Sequence, residues 1–210
     1  MAAAPTRMSR AERKAETRSR LLRSAITVLA ERGMERASID EVAEHAGYTK
    51  GAFYANFSSK EDLFLAMLDE HFADLLGRLD RVLSHDTELE EQAREGAASF
   101  MEFIAADPDW ERLFFDFSSY ATRNEDFRRE LAARRGALRA GIAQLLHRRV
   151  GELGIEPPVP VDDIAMMLFS MADGVALQKL LDPDSVSGEL YPTMLATFFT
   201  GLRASTPAQD

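Results

Sequence analysis

A chain of 210 residues, 46% hydrophobic and 29% charged, has the make-up of an ordinary globular protein of one or two domains. Its lack of cysteine excludes a disulfide framework and a thiolate metal site, and no uninterrupted apolar run approaches a membrane span. The net charge of −10 argues against a uniformly basic nucleic-acid binder.

That charge is unevenly spread. Residues 1–60 hold 11 Lys/Arg against 7 Asp/Glu, a net of +4, and residues 61–210 hold 14 against 28, a net of −14. A basic head on an acidic body is the arrangement that phosphates would orient, head first. The start, MAAAPTRMSRAERK, has basic residues with no apolar stretch behind them. No secretory signal is therefore expected, and the expected compartment is the cytoplasm.

Taken in chain order, residues 1–8 read as a disordered arm. A basic amphipathic helix follows over about 9–32, with Leu22, Ala25, Ile26 and Leu29 as its apolar stripe and Gly33 as its stop. Ser38 begins a capping box with Glu41, and Ile39, Val42, Ala43 and Ala46 share one face of a helix near 39–46. Gly47 ends that helix. Thr49 caps the next, near 50–56, on which Phe53 and Phe57 lie four apart and point the same way. Ser59, with Asp62 three residues on, opens a long helix to about residue 83, along which Leu63, Met67, Leu75, Leu79 and Val82 run.

The remaining spacing predicts helices near 87–106, 109–120, 124–153, 161–182 and 188–204. Asp107-Pro108, the 156–160 stretch EPPVP and Asp182-Pro183-Asp184 separate them. No segment alternates with period two, so the expected fold class is all-α, of about nine helices. Two short helices joined by a glycine turn are the unit whose second helix enters the DNA major groove.

The chain resembles the TetR family of bacterial transcriptional regulators. The resemblance is carried by Thr17-Arg18, by 30–33 AERG, by Ser38-Ile39 with Val42-Ala43, by 46–51 AGYTKG, by Phe53-Tyr54 with Phe57, and by Ser59-Lys60 with Leu63. It implies three divisions: the arm 1–8, a helix-turn-helix DNA-binding domain over 9–59, and an effector-binding and dimerisation domain over 60–206. The resemblance implies that Lys60 and Arg18 meet phosphate and that the Tyr54 hydroxyl touches the backbone.

The residues themselves suggest further contacts. The helix N-terminus at Ser38 is a phosphate seat. Thr49, Lys50 and Ala52 face bases, with Lys50 suited to guanine O6/N7 and the Ala52 methyl to a thymine methyl. Gly51 allows close backbone approach. Asn56 suits either a phosphate or an adenine edge.

An effector pocket is also implied by the resemblance. Among the aromatic and Met side chains of the body, Met101, Trp110, Phe114, Phe117, Met166 and Ser170 are the expected lining. Helices 161–182 and 188–204 carry more apolar surface than a lone bundle needs, and the resemblance implies that they pair two chains. A homodimer is also required physically, because one recognition helix reads too few base pairs for a specific site.

His45, His71, His85 and His147 are scattered, and no nucleophile–base order or glycine-rich phosphate loop stands out, so no catalytic site, metal or cofactor is expected. The function expected is a ligand-responsive regulator, a repressor released from a palindromic operator by a small apolar or aromatic effector. The alternatives are a helical DNA-binding regulator without small-molecule control and a small-molecule-binding helical bundle.

Overall fold

The computed structural model of the chain describes residues 9–205. The arm expected over 1–8 and the end of the second domain at 206 lie outside the described residues. Nine helices and no strand occur among the described residues: α1 (Arg10–Arg36), α2 (Ile39–His45), α3 (Lys50–Tyr54), α4 (Lys60–Leu83), α5 (Leu89–Ala106), α6 (Pro108–Ala121), α7 (Glu125–Leu153), α8 (Val161–Leu181) and α9 (Leu190–Ala204).

Helix starts follow cap chemistry. Ser9–Glu12 and Ser38–Glu41 are complete capping boxes, and the side chains of Thr49, Ser59, Asp107 and Asn124 each accept a first-turn N–H. Two boundaries differ most from expectation. Gly33, at φ +75, does break α1, but the helix resumes for a further turn to Arg36. That turn is held from outside, because Asp116 on α6 accepts the Met34 N–H at 2.7 Å and Lys60 donates to the carbonyls of Met34 and Ala37, both at 2.6 Å. Helix α3 is shorter than expected, ending at Tyr54, with Asn56 N–H tightening the last turn onto Phe53 O.

The apolar interior forms two clusters. One runs from Leu21, Leu29, Val42, Phe53 and Phe57 of the first three helices through Leu63, Phe64 and Leu68 of α4, then into Trp110, Leu113 and Phe117 of α6 and Phe127 of α7. The other fills the body between α5, α7, α8 and α9. The head is thus not cored on its own; α4 and α6 carry its interior past residue 59. In the body, α4 crosses α7 closely where Gly141 stands, since a Cβ there would come within 2.9 Å of Leu76.

Helix α8 differs from the reading drawn from uninterrupted apolar runs. Its most apolar 18 residues have a mean hydropathy of 1.4, which makes it, among the described residues, the one helix long and apolar enough to cross a membrane by length and composition. Only 28% of that stretch is buried, so a single copy leaves an apolar face bare.

Candidate nucleic-acid interface and an apolar cavity

The α2–turn–α3 unit is anchored by its aromatic side. Phe53 is fully buried and Phe57 nearly so, and their rings meet at 5.7 Å. With that side fixed inward, the opposite flank of α3 is left outward. Thr49, Lys50 and Gly51 are exposed, and Tyr54, edge-on to Phe53, is 51% exposed. Ala52 is half-buried.

Lys50 is not idle. Its ammonium donates to Asp40 of α2 at 2.9 Å, and that hydrogen bond raises its pKa above the ordinary lysine range. Both side chains are more than half exposed, so the pair costs little to part. A base or phosphate must compete with Asp40 for Lys50, a neighbour that spacing alone did not flag.

The other expected interface residues are more occupied. Ser38 and Glu41 satisfy each other: Glu41 N–H donates to Ser38 Oγ at 3.1 Å, and Ser38 N–H to Glu41 Oε2 at 2.8 Å. The Ser38 N–H and hydroxyl hold the Glu41 carboxyl below its usual range. A phosphate at this terminus is left with the N–H groups of Ile39 and Asp40, close to two carboxylates. Asn56 turns inward. Its Nδ2 donates to Ala52 O at 2.8 Å, and its Oδ1 is buried without a partner. The Arg18 guanidinium donates to Glu70 at 2.8 Å and lies 5.2 Å from the Phe57 ring centroid. Lys60 spends two of its three donors on the last turn of α1 and the residue that caps it.

In the body, α4 to α9 line a partly open apolar cavity of about 150 Å³. Trp110 and Phe114 line it. The other four expected lining residues do not. Phe117 is fully buried against Phe64, ring to ring at 3.6 Å, and Met101 packs within the body cluster. Met166 is 44% exposed, and Ser170, also exposed, donates to Met166 O. The reason is the rotation of α8, which turns Leu168, Phe169, Ala172, Asp173 and Ala176 toward the cavity. Met167 falls about half a turn from that face, and Met166 and Ser170 beside it.

Sequence reasoning missed the cavity's polar groups. Arg135 is paired with Asp173 and lies over the rings of Phe169 at 4.4 Å and Phe114 at 5.3 Å. Arg78 bonds Asp74 and lies over Phe103. His71 packs against Trp110 and Phe103, ring centroids at 4.2 and 4.3 Å. Burial pulls its pKa down to about 3, so the imidazole is neutral at pH 7. Glu111 is pushed the other way, to about 7, by burial and by Asp173 and Asp107. Among the described residues no group of three or more acidic or imidazole side chains is placed to hold a metal ion.

Helix α6 joins the two regions. Trp110, Glu111, Phe114 and Phe115 line the cavity, while Asp116 bonds Met34 of the head and the Tyr120 hydroxyl donates to Glu61 at the start of α4 at 3.0 Å.

Comparison with known proteins gives the lineage. Residues 21–67 match the bacterial regulatory proteins of the tetR family, and residues 89–204, more than half of the chain, match the C-terminal domain of BetI-type transcriptional repressors. The chain belongs to the TetR family.

This TetR-family regulator is 36% identical over 107 residues to the HTH-type transcriptional activator FasR of Mycolicibacterium smegmatis, a match that covers 51% of this chain and 48% of FasR. The chain thus spans about half the length of that relative. It is 25% identical over 166 residues to the HTH-type transcriptional repressor AcnR of Corynebacterium glutamicum, covering 78% and 81% of the two chains. The structure of the transcriptional regulator FadR from Bacillus subtilis in complex with stearoyl-CoA superposes with a TM-score of 0.69 over 90% of this chain and 99% of that one; at 15% identity it shares the fold alone.

Proposed function

We propose that this TetR-family regulator acts in the cytoplasm as a repressor, binds a palindromic operator as a homodimer, and is released when a small apolar or aromatic effector enters the cavity. The reading rests first on α3, whose outer flank offers Thr49, Lys50 and Tyr54 while Phe53 and Phe57 hold the opposite side inside. Such a rod can lie in a major groove without unfolding anything. A gel-shift titration on DNA upstream of its own coding sequence tests it: a complex displaced by unlabelled copies of that fragment, and not by a shuffled one, is expected. Equal displacement by both refutes sequence-selective binding.

Dimerisation is supported by the bare face of α8 and α9. Met166, Met167 and Leu190 are exposed, and Met171, Met194 and Phe198 are half-buried. Ile164, Val175, Leu195 and Phe199 of the same two helices are buried in the body. Asp162, Asp163, Asp173 and Lys179 interrupt α8, which favours a second copy over lipid as the cover. Relatives include both an activator and a repressor; the direction is read from transcription of the bound promoter in vitro, which should fall on adding the protein and recover with effector.

The cavity's size supplies the means of release. About 150 Å³ suits a benzene-sized group, less than the ~300–1,000 Å³ of typical ligand sites. A larger effector must therefore displace a wall, and α6 is the wall that also grips the head. An effector shifts DNA binding only by its preference for the widened state. FadR's stearoyl-CoA is a precedent for a large ligand held by this fold. Asp116→Ala removes the carboxylate that holds the Met34 N–H. It is expected to shrink the effector-induced loss of operator affinity by about tenfold, within the ~1–3 kcal/mol typical of coupling energies. Fluorescence anisotropy with and without effector measures this. An unchanged effector response would show that α6 does not carry the signal through Asp116.

A further inference from the structure

Charge pairing across the cavity divides its lining unequally. Four Arg, Asp or Glu residues line it. Arg78 of α4 has Asp74 as its partner, and Arg135 of α7 has Asp173 of α8. The side chain of Glu111 of α6 has no hydrogen bond or ion pair to any described residue. It follows Trp110 in the chain and shares the lining with Phe103, Phe114 and Phe115.

We propose that Glu111 is the anchor for a cationic head on the effector, so that the cavity selects an aryl- or alkyl-amine in its protonated form. This rests on the cavity being the effector site and adds the chemical class that enters it. The unpaired carboxylate supplies charge and hydrogen-bond acceptors to an ammonium group, and aromatic faces attract cations. The same rings already hold two: Arg135 lies over Phe114 and Phe169, and Arg78 over Phe103. An anionic head is disfavoured. It would face Glu111 and Asp173 together, and Arg135 could receive it only by leaving Asp173.

The titration of Glu111 gives the site a pH signature. The groups facing the cavity from the other helices are Asp173 and Arg135, paired; Arg78, paired; His71, neutral; and Tyr191, whose hydroxyl burial keeps protonated. Glu111, held near 7 by burial, Asp173 and Asp107, is the cavity group that changes charge around neutrality. A cation prefers its ionised form. Amine binding therefore releases a proton, strengthens as pH rises through 7, and levels off above it.

Trp110 is the only tryptophan in the chain and lies in the lining, so its emission reports occupancy. The full-length protein is titrated with 4-phenylbutylamine, 4-phenylbutan-1-ol and 4-phenylbutyrate, which carry cationic, neutral and anionic heads on one scaffold, at pH 6 and pH 8. The amine stays protonated at both. It is expected to bind about tenfold more tightly than the alcohol at pH 8, and to lose most of that margin at pH 6, where roughly a tenth of Glu111 is ionised. In Glu111→Gln the amine is expected to fall to the alcohol's affinity and lose its pH dependence, while the alcohol titration reports that the cavity still forms. The proposal is overturned if the alcohol or butyrate binds at pH 8 as tightly as the amine, or if Glu111→Gln keeps the preference. If none of the three alters Trp110 emission, the cavity reading itself fails, and this inference with it.

Discussion

Phe64→Ala is expected to lower folding stability by about 4 kcal/mol, within the ~3–5 that Phe→Ala costs in a packed core. Phe64 is fully buried. Its ring stacks on Phe117 at 3.6 Å and 7°, lies parallel to Trp110 at 5.9 Å, and tilts against Phe127 at 6.2 Å. These four rings come from α4, α6 and α7, so the alanine leaves a void where head and body share one interior. None of these helices can close it without losing another contact. Set against the ~5–15 kcal/mol stability of a whole domain, the loss is large. It should appear as a lower denaturation midpoint without a change in slope. A loss below ~1 kcal/mol would mean that the joint repacks freely, and head and body would then lack the rigid link that release requires.

Met167→Asp is expected to split the dimer and to weaken operator binding by about a hundredfold or more, because a paired interface meets its own mutation across the twofold axis and buries two like charges. Met167 is 41% exposed in the single chain and points away from the cavity. Monomer stability should therefore shift by no more than ~0.5 kcal/mol, as at an ordinary surface position, which separates this variant from a misfolded one. Sedimentation velocity reads the assembly and anisotropy the affinity. A variant that sediments as a dimer and binds operator normally would move the dimer contact elsewhere.

How much of this was legible in the sequence depended on whether a local rule governed it. The capping box at Ser38 and Glu41, the Ser59 cap and the prolines at 108, 157, 158, 160 and 183 are local, and helix ends followed them to within a residue or two, whereas the break at Gly33 was legible but not the turn beyond it, which Asp116 and Lys60 hold from a distance. The outward flank of α3 was legible because Phe53 and Phe57, four apart, fix which side is inside. The cavity lining was not. Helix α8 is apolar nearly all round, so no period told Leu168 and Phe169 from Met166 and Met167; only packing against α6 and α7 sets its rotation. Nor did spacing show that Asn56 would turn back onto Ala52 or that Lys60 would close the end of α1. Nothing in the spacing set Glu111 and Asp116 apart from the other charges of α6. Their roles come from distant neighbours: Met34 lies 82 residues from Asp116, and Asp173 lies 62 residues from Glu111. The uneven charge between head and body was plain from composition, but the Asp40–Lys50 pair within the basic head was not.

If α3 reads base edges through its outer flank, the sequence preference of the protein must depend on Lys50. Selection from a pool of random duplexes, run in parallel with the wild-type chain and with Lys50→Ala, decides this. The wild type is expected to enrich an inverted repeat, and the variant the same repeat at the same spacing with preference lost at one or two symmetric positions. An unenriched pool, or a motif identical in every position for the two proteins, would rule out base reading by α3.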